Sequence, residues 1–232
     1  MNNISQKKVI PSHVAVIFDG NRRWARERNL SIYDGYLRGY EKVRDACDWF
    51  FLRGVKNFSV YVFAGSSWDR EKKELDILMN LTSEFLLGSI DDFNKKDYKI
   101  IAGGRIDELP NDLPLAFEEA LEKTKQGLSG TLNVCFNYGG RFELIDAIKK
   151  IVKNELTEEQ IHEGIVKKYL YNPLLPDVDI IARTGGEHSL NDFLTWQSVN
   201  AELFFLKKYW PDFEELDVVN MLEEFNLRRK KF

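Results

Sequence analysis

Hydrophobic residues along this chain come in two alternating rhythms. Short, nearly unbroken apolar runs stop abruptly at polar or glycine-bearing residues, as buried parallel strands do. They predict strands over 14–18, 58–63, 99–102, 132–138, 178–182 and 203–206. Between them, apolar residues recur every three or four positions, the spacing of one helix face. Tyr36, Tyr40, Val43, Cys47 and Phe50 mark a helix over 34–53 that stops at Gly54. Leu75, Leu78, Met79, Phe85 and Leu86 mark a longer one from 71 to about 94. Further helices are predicted over 115–126, 143–152 and 214–228, with a polar helical pair over 157–170. A helix after nearly every strand implies parallel pairing with both sheet faces covered. No linker, repeat or low-complexity stretch divides the chain. The expectation is a single α/β domain over 1–232, with a central, mostly parallel sheet of about six strands flanked by helices.

Composition narrows the function classes. Charged residues make up 30% of the 232 positions and the net charge is −4, so no global positive field exists to hold nucleic acid. The basic runs Arg22–Arg28 and Arg228–Lys231 are short; the first suits an anion site and the second a solvated tail. Cys47 and Cys135 sit in apolar stretches without Cys-x-x-Cys spacing, which fits small buried hydrophobes in a reducing compartment. The start of the chain carries no apolar signal segment, and no run approaches the ~18 apolar residues of a membrane span. A cytoplasmic protein is expected, with at most peripheral membrane contact. His13 and His162 lack metal-ligand spacing and read as surface or loop residues. Gly103-Gly104-Arg105 is either a phosphate turn or a plain loop. No Gly-x-Gly-x-x-Gly follows a strand, so a dinucleotide cofactor has no support.

The chemistry gathers at two strand ends. Asp19-Gly20-Asn21-Arg22-Arg23-Trp24 follows the first apolar run, and Arg183-Thr184-Gly185-Gly186-Glu187-His188 follows Val178-Asp179-Ile180-Ile181-Ala182. In an open parallel sheet, ligands sit outside the carboxyl ends of the strands. A carboxylate there can hold Mg²⁺, which takes oxygen ligands and bridges to phosphate. Gly20 lets a ligand approach the backbone, and N–H groups at a helix start favour an anion. Arg23 can grip phosphate bidentately. Glu187 can order the Arg183 loop, and His188 can donate to phosphate. The competing account is an aspartate N-cap with a solvated arginine run. The set suits a phosphate with a divalent cation, not a protease triad.

Further ordered segments extend the pattern: Tyr61-Val62-Phe63 with Trp68 and Arg70, Asn133 through Arg141, Trp196-Gln197-Ser198, Ala201-Glu202-Leu203-Phe204-Phe205, and Trp210-Pro211-Asp212-Phe213. From His13 to Phe213 the chain resembles the cis-prenyltransferases, the undecaprenyl diphosphate synthase family. That resemblance implies Mg²⁺-assisted transfer of an allylic prenyl group from a prenyl diphosphate to an acceptor, usually isopentenyl diphosphate, with loss of pyrophosphate. By the same resemblance Asp19, Asn21 and Arg23 are catalytic, and Asp19 and Glu202 are metal ligands. Gly20, Asn21, Arg22, Arg23 and Arg70 would hold the donor diphosphate. Arg183 would hold the second diphosphate, in an acceptor pocket that includes Ser67, Ser189 and Asn191. Trp24 stands among the substrate-binding positions, with packing as its alternative role, as for Trp68 and Trp196. The faces of the helices over 34–53 and 71–94 would wall a hydrophobic tunnel for the prenyl chain. A homodimer is implied, or a heteromer with a homologue; some relatives are non-catalytic subunits of such pairs.

The departures from the family pattern cluster at the acceptor. Ser67 stands where an asparagine is usual, and Ser189-Leu190-Asn191 where an arginine, any residue and a serine hold isopentenyl diphosphate. On the donor side Ile32 and Tyr36 replace an arginine and a histidine, and Arg22 replaces a common glycine. A charge-assisted hydrogen bond contributes about 1.5–3 kcal/mol, so losing the arginine at Ser189 weakens diphosphate binding roughly ten- to a hundredfold. An atypical acceptor is therefore also open, either a second allylic diphosphate or an alcohol.

Overall fold

The computed structural model describes residues 8–229. Its first strand, β1 (His13–Ile17), is buried along its whole length because it lies mid-sheet, with cover on both faces. The other strands are β2 (Asn57–Tyr61), β3 (Tyr98–Gly103), β4 (Gly130–Cys135), β5 (Ile180–Arg183) and β6 (Glu202–Phe205). Their order is β3-β4-β2-β1-β5-β6, and every neighbouring pair is parallel. The expected six strands are present, and the sheet is wholly rather than mostly parallel. From β1 the chain builds outward on one side through β2, β3 and β4, and reaches the other side only with β5. The carboxyl ends of β1 and β5 thus form the topological switch point, where such sheets open a crevice.

The helices are α1 (Asn21–Glu27), α2 (Ile32–Phe51), α3 (Lys72–Lys95), α4 (Leu113–Thr124), α5 (Gly140–Lys153), α6 (Glu163–Tyr169) and α7 (Glu215–Arg229). α2 begins two residues before the predicted 34 because Ser31 and Asp34 form a capping box, a local signal that apolar spacing does not report. β4 ends at Cys135, short of the predicted 138. Asn137 takes a φ of +47°, which breaks the ladder, and Tyr138 makes only an isolated bridge to Ala64. β5 starts at Ile180 rather than 178 and takes in Arg183 as its last residue. The polar pair over 157–170 resolves into a 3-10 turn at Glu158–Gln160 followed by α6.

Strand alternation divides the core. Val14 and Val16 face a large cluster with residues of α2, α3, α4 and α7, including Phe50, Leu86, Phe117 and Phe225. Ala15 and Ile17 face a smaller one with Tyr61, Tyr138, Ile181 and Phe193. Cys47 and Cys135 are free thiols buried in these layers. Among the described residues, no helix is long and apolar enough to cross a membrane.

Two sequence expectations need correction, and one open alternative narrows. His13 is not a surface residue but lies fully buried in β1. The Pro176 carbonyl can only accept, so Nδ1 of His13 donates to it at 2.8 Å, and Nε2 accepts from Ser59 Oγ at 2.7 Å. Burial holds this neutral imidazole below its usual pKa. The Arg228–Lys231 run is not a free tail at its start: Arg228 pairs with Glu202 and Glu224, and Arg229 with Asp179. Lys230 and Lys231 lie outside the described residues. Of the two open readings of Gly103-Gly104-Arg105, the plain loop is the better supported, since the Arg105 guanidinium is engaged by Asp146 at 2.9 Å.

Candidate active site

The register of the sheet sets Ile17 beside Arg183. Two residues beyond Ile17, Asp19 turns its carboxylate to the same edge, and Arg183 Nη2 donates to its Oδ2 at 2.9 Å. The other nitrogen of the fork, Nη1, donates to both the carbonyl and the hydroxyl of Ser189 at 2.6 Å. The Arg183 side chain is only 9% exposed, whereas that of Asp19 is 37% exposed. Arg183 is therefore a buried clamp on Asp19 and on the Ser189 loop rather than an open cation. Thr184 fixes the same corner from below, with its hydroxyl donating to the Asp19 carbonyl at 2.8 Å.

Two glycines allow this closeness. Gly185 has a φ of +86°, and a Cβ there would lie 2.7 Å from Arg23 Nη2 and 3.2 Å from the Asp19 carbonyl carbon. Gly20, at φ +103°, turns the chain from the Asp19 corner into α1. Arg23, one turn into α1, reaches back to within 3.9 Å of Asp19 Oδ1 and donates to Glu187 at 3.5 Å. It is half-buried and loosely held.

A second group of cations meets at Glu74, in the first turn of α3. Arg22 Nη1 donates to its carboxylate at 3.0 Å, and Arg70 Nη1 at 2.9 Å. The Tyr36 hydroxyl donates to Oε1 at 2.6 Å and accepts from Arg70 Nη1 at 3.0 Å. Burial would raise the Glu74 carboxyl, but the hydrogen bonds from Tyr36 and Arg22 and the charges of Arg22 and Arg70 hold it below its usual range. Burial and the bond to Glu74 push the Tyr36 hydroxyl up, so it stays a neutral donor. Glu74 was not picked out from the sequence. The available signal was its spacing of four from Arg70 at a helix start.

Between these groups lies a cavity of about 320 Å³. Asp19, Gly20, Asn21, Arg22, Arg23, Ser67, Arg70 and Asn191 all line it, so the fold brings most of the predicted residues together. Its apolar wall comes from Ile17, Phe18, Tyr61, Val62 and Leu78, beside Tyr36; of these, Tyr36 and Leu78 lie on the two helix faces expected to wall a prenyl tunnel. Asn21 is buried, with its amide donating to the Phe18 carbonyl at 2.9 Å. Ser67 Oγ accepts a long bond, 3.4 Å, from Arg70.

Two predicted positions lie elsewhere. Trp24 points away from the cavity, donating through Nε1 to Asp212 at 2.7 Å under the Arg28 guanidinium, and so takes the packing role. Trp68 likewise donates to Asn137, at 2.9 Å. Glu202 opens β6 level with Ile180 and Val14, at the amino end of the sheet. At about 3.3 Å per residue, Val14 lies about 10 Å from Ile17, and Asp19 is beyond that. Glu202 instead accepts from Arg228 at 3.1 Å, so within one chain it does not share a metal with Asp19. His188 is exposed, its ring 5.2 Å from that of Phe205.

A wholly parallel α/β sheet with a cavity lined by Asp19, Arg22, Arg23 and Arg70 together with an apolar wall suits an anionic ligand that has a hydrocarbon part. The family follows from comparison with known proteins. Residues 17–232 match the family model described as "Putative undecaprenyl diphosphate synthase". The chain is 40% identical over 230 residues to the tritrans,polycis-undecaprenyl-diphosphate synthase (geranylgeranyl-diphosphate specific) of Pyrococcus furiosus, covering 97% of this chain and 87% of that protein. It is 38% identical to the isoprenyl transferase of Thermotoga maritima, covering 96% and 97%. Among solved structures, lavandulyl diphosphate synthase from Lavandula x intermedia, in complex with dimethylallyl diphosphate, superposes with a TM-score of 0.90 at 26% identity, over 95% of this chain and 97% of that one. The chain belongs to the undecaprenyl diphosphate synthase family and is a prenyltransferase.

Proposed function

We propose that this enzyme transfers the prenyl group of an allylic diphosphate, with Mg²⁺, to an acceptor other than isopentenyl diphosphate. The observation that carries the proposal is Ser189 locked onto Arg183 where the family presents a second arginine to the acceptor. The acceptor side of the cavity then offers Ser67 and Asn191, neutral groups that suit a weakly anionic or uncharged partner. The likeness to lavandulyl diphosphate synthase, solved with dimethylallyl diphosphate, supports an allylic diphosphate as a ligand of this cavity; a second allylic unit or an alcohol as acceptor fits the same polarity. Retention of Asp19, Arg23 and Arg183 in one arrangement speaks for a catalytic chain rather than a silent subunit.

Mg²⁺ binds through one or two carboxylates together with waters and substrate phosphates. Asp19, partly exposed beside Arg23 and Arg183, fits that role; among the described residues no cluster of three His, Cys, Asp or Glu side chains does. When bound there, the ion would add positive charge where the leaving pyrophosphate gathers negative charge. The chain's own groups do the rest. Arg23, Arg22 and Arg70 hold the diphosphate and favour its departure with the electron pair of the C1–O bond. The electron pair of the acceptor, from a double bond or a hydroxyl, forms the new bond to C1, and a proton leaves the acceptor. Arg183 keeps Asp19 oriented, and the apolar wall excludes water from the allylic cation.

The test is to incubate the chain and Mg²⁺ with dimethylallyl, geranyl, farnesyl and geranylgeranyl diphosphates, with and without isopentenyl diphosphate, and to identify products by mass spectrometry. Product formed from an allylic diphosphate alone, or with added prenyl alcohol, is expected. Efficient, processive use of isopentenyl diphosphate to give long cis chains would refute the acceptor assignment.

A further inference from the structure

The loop from Ser189 to Thr195, which brings Asn191 to the cavity wall, has an unusual backbone. Asn191, Asp192 and Leu194 have φ of +49°, +62° and +46°, three left-handed residues in four and none of them glycine. Asn and Asp tolerate that region, but a bulky leucine rarely enters it, so the surroundings must hold the loop there. Three contacts do so. Ser189 is bound by Arg183, and the buried Phe193 ring stacks on Tyr61 at 4.6 Å. Between them Asp192 docks on the start of α5. Its carbonyl accepts from the Gly140 N–H at 2.7 Å, and its Oδ1 accepts from the Arg141 N–H at 3.1 Å and from the Thr195 hydroxyl at 3.2 Å. Gly139, at the N-cap of α5, has no side chain to satisfy the first N–H groups of the helix, so a residue 51 positions beyond Arg141 supplies the acceptors. The glycine pair also leaves room for the approach. A Cβ on Gly139 would lie 2.8 Å from Asp192 Oδ2, and one on Gly140 would collide with the Thr195 side chain.

We propose that Asp192 is a positioning residue for the acceptor: by pinning the loop to α5 it holds Asn191 at the cavity wall. The two residues share a peptide unit, so a change of backbone at Asp192 re-aims Asn191 directly. The hydrogen bonds of Asp192 reach only α5 and its own loop. The donor groups sit on other segments: Asp19 follows β1, Arg22 and Arg23 belong to α1, and Arg70 precedes α3. Ser189 keeps its separate anchor on Arg183, so the Asp19 corner survives when the pin is lost. Loss of the pin is therefore felt by the acceptor and not by the donor. This inference rests on the reading of Ser67 and Asn191 as the acceptor side of a prenyl-transfer site, and it holds whichever acceptor is used.

Two substitutions test it. Asp192→Gly removes the carboxylate and places at φ +62° a residue that adopts it without strain, so the backbone is not penalised. Asp192→Asn keeps an oxygen for the Arg141 N–H. Steady-state kinetics use geranyl diphosphate and Mg²⁺, with dimethylallyl alcohol, dimethylallyl diphosphate and isopentenyl diphosphate supplied in turn as acceptor. For the acceptor that wild-type protein turns over, Asp192→Gly is expected to raise KM at least about tenfold, and Asp192→Asn by no more than about threefold. Calorimetry with geranyl S-thiolodiphosphate, an unreactive donor, is expected to give affinities within about twofold for all three proteins. An unchanged acceptor KM in Asp192→Gly, an equal loss of donor affinity, or an Asp192→Asn variant as impaired as Asp192→Gly would each overturn the positioning role while leaving prenyl transfer intact. Turnover of none of the three acceptors by wild-type protein would overturn the prenyl-transfer reading and with it this inference.

Discussion

Arg183 donates to Asp19 at 2.9 Å across the junction of β1 and β5, which joins two residues 164 positions apart in the chain. The contact exists because parallel pairing puts Ile17 level with Arg183, so both side chains emerge at one edge. Arg183 is nearly buried and spends its fork on Asp19 and Ser189. The contact holds the Asp19 carboxylate in place.

Asp19→Ala is expected to lower kcat/KM by at least about a hundredfold, the scale of removing one preorganised electrostatic group. A pyrophosphate-release assay measures this. Gly185→Ala should damage the same corner by strain, since its φ is positive and its Cβ would meet Arg23. A stability loss of about 1–3 kcal/mol should accompany the loss of rate. Urea midpoints should fall for both variants, because Asp19→Ala leaves the nearly buried Arg183 guanidinium without its carboxylate partner.

Glu74→Ala leaves Arg22 and Arg70 without their shared carboxylate, and Tyr36 without its acceptor. Stability should fall by about 1–2 kcal/mol, a figure kept low by the exposure of Arg22. The donor KM should rise about fivefold or more as the arginines lose their positions. Tyr36→Phe, which keeps the ion pairs, should show a smaller effect on both.

Ser189→Arg tests the acceptor side directly. The variant is expected to bind isopentenyl diphosphate roughly ten- to a hundredfold more tightly, the worth of one charge-assisted bond. Adding Ser67→Asn should increase its use as a substrate. No change in isopentenyl diphosphate affinity in either variant would show that these positions do not set acceptor choice.

Acid sensitivity should trace to His13. Its folded pKa is lowered by burial, so the unfolded chain binds a proton that the folded one does not. Stability is thus complete above the unfolded value near 6.5 and declines as pH falls below it, by at most about 1.4 kcal/mol per unit. Urea midpoints between pH 5.5 and 8 should show this slope, and His13→Asn should flatten it.

Much of the fold was legible because buried strands and amphipathic helices write their burial into local patterns. The runs ending at Phe18 and Ala182 marked the two strands whose ends carry the site, and the glycine–arginine motifs after them marked the chemistry. Helix ends were less legible: the Ser31–Asp34 box and the positive φ of Asn137 are backbone events that apolar spacing does not encode. Trp24 and Glu202 show the same limit within the site. Both lie in the right motif, but a helix turns Trp24 toward Asp212, and strand register leaves Glu202 at the wrong end of the sheet for Asp19.

Local order in the chain was enough for the α/β class, and family resemblance for naming Asp19, Asn21, Arg23 and Arg70 as candidate donor-site residues and Ser67 and Ser189 as departures from the family pattern. Those properties depend on residue type and short spacing, which a linear text carries. Three-dimensional packing alone settled that Arg183 clamps Asp19, that Glu74 gathers two arginines with Tyr36, and that Tyr40 of α2 meets Thr82 and Phe85 of α3. Each joins side chains from separate elements, and their distances follow from strand register and helix docking, which no single segment contains.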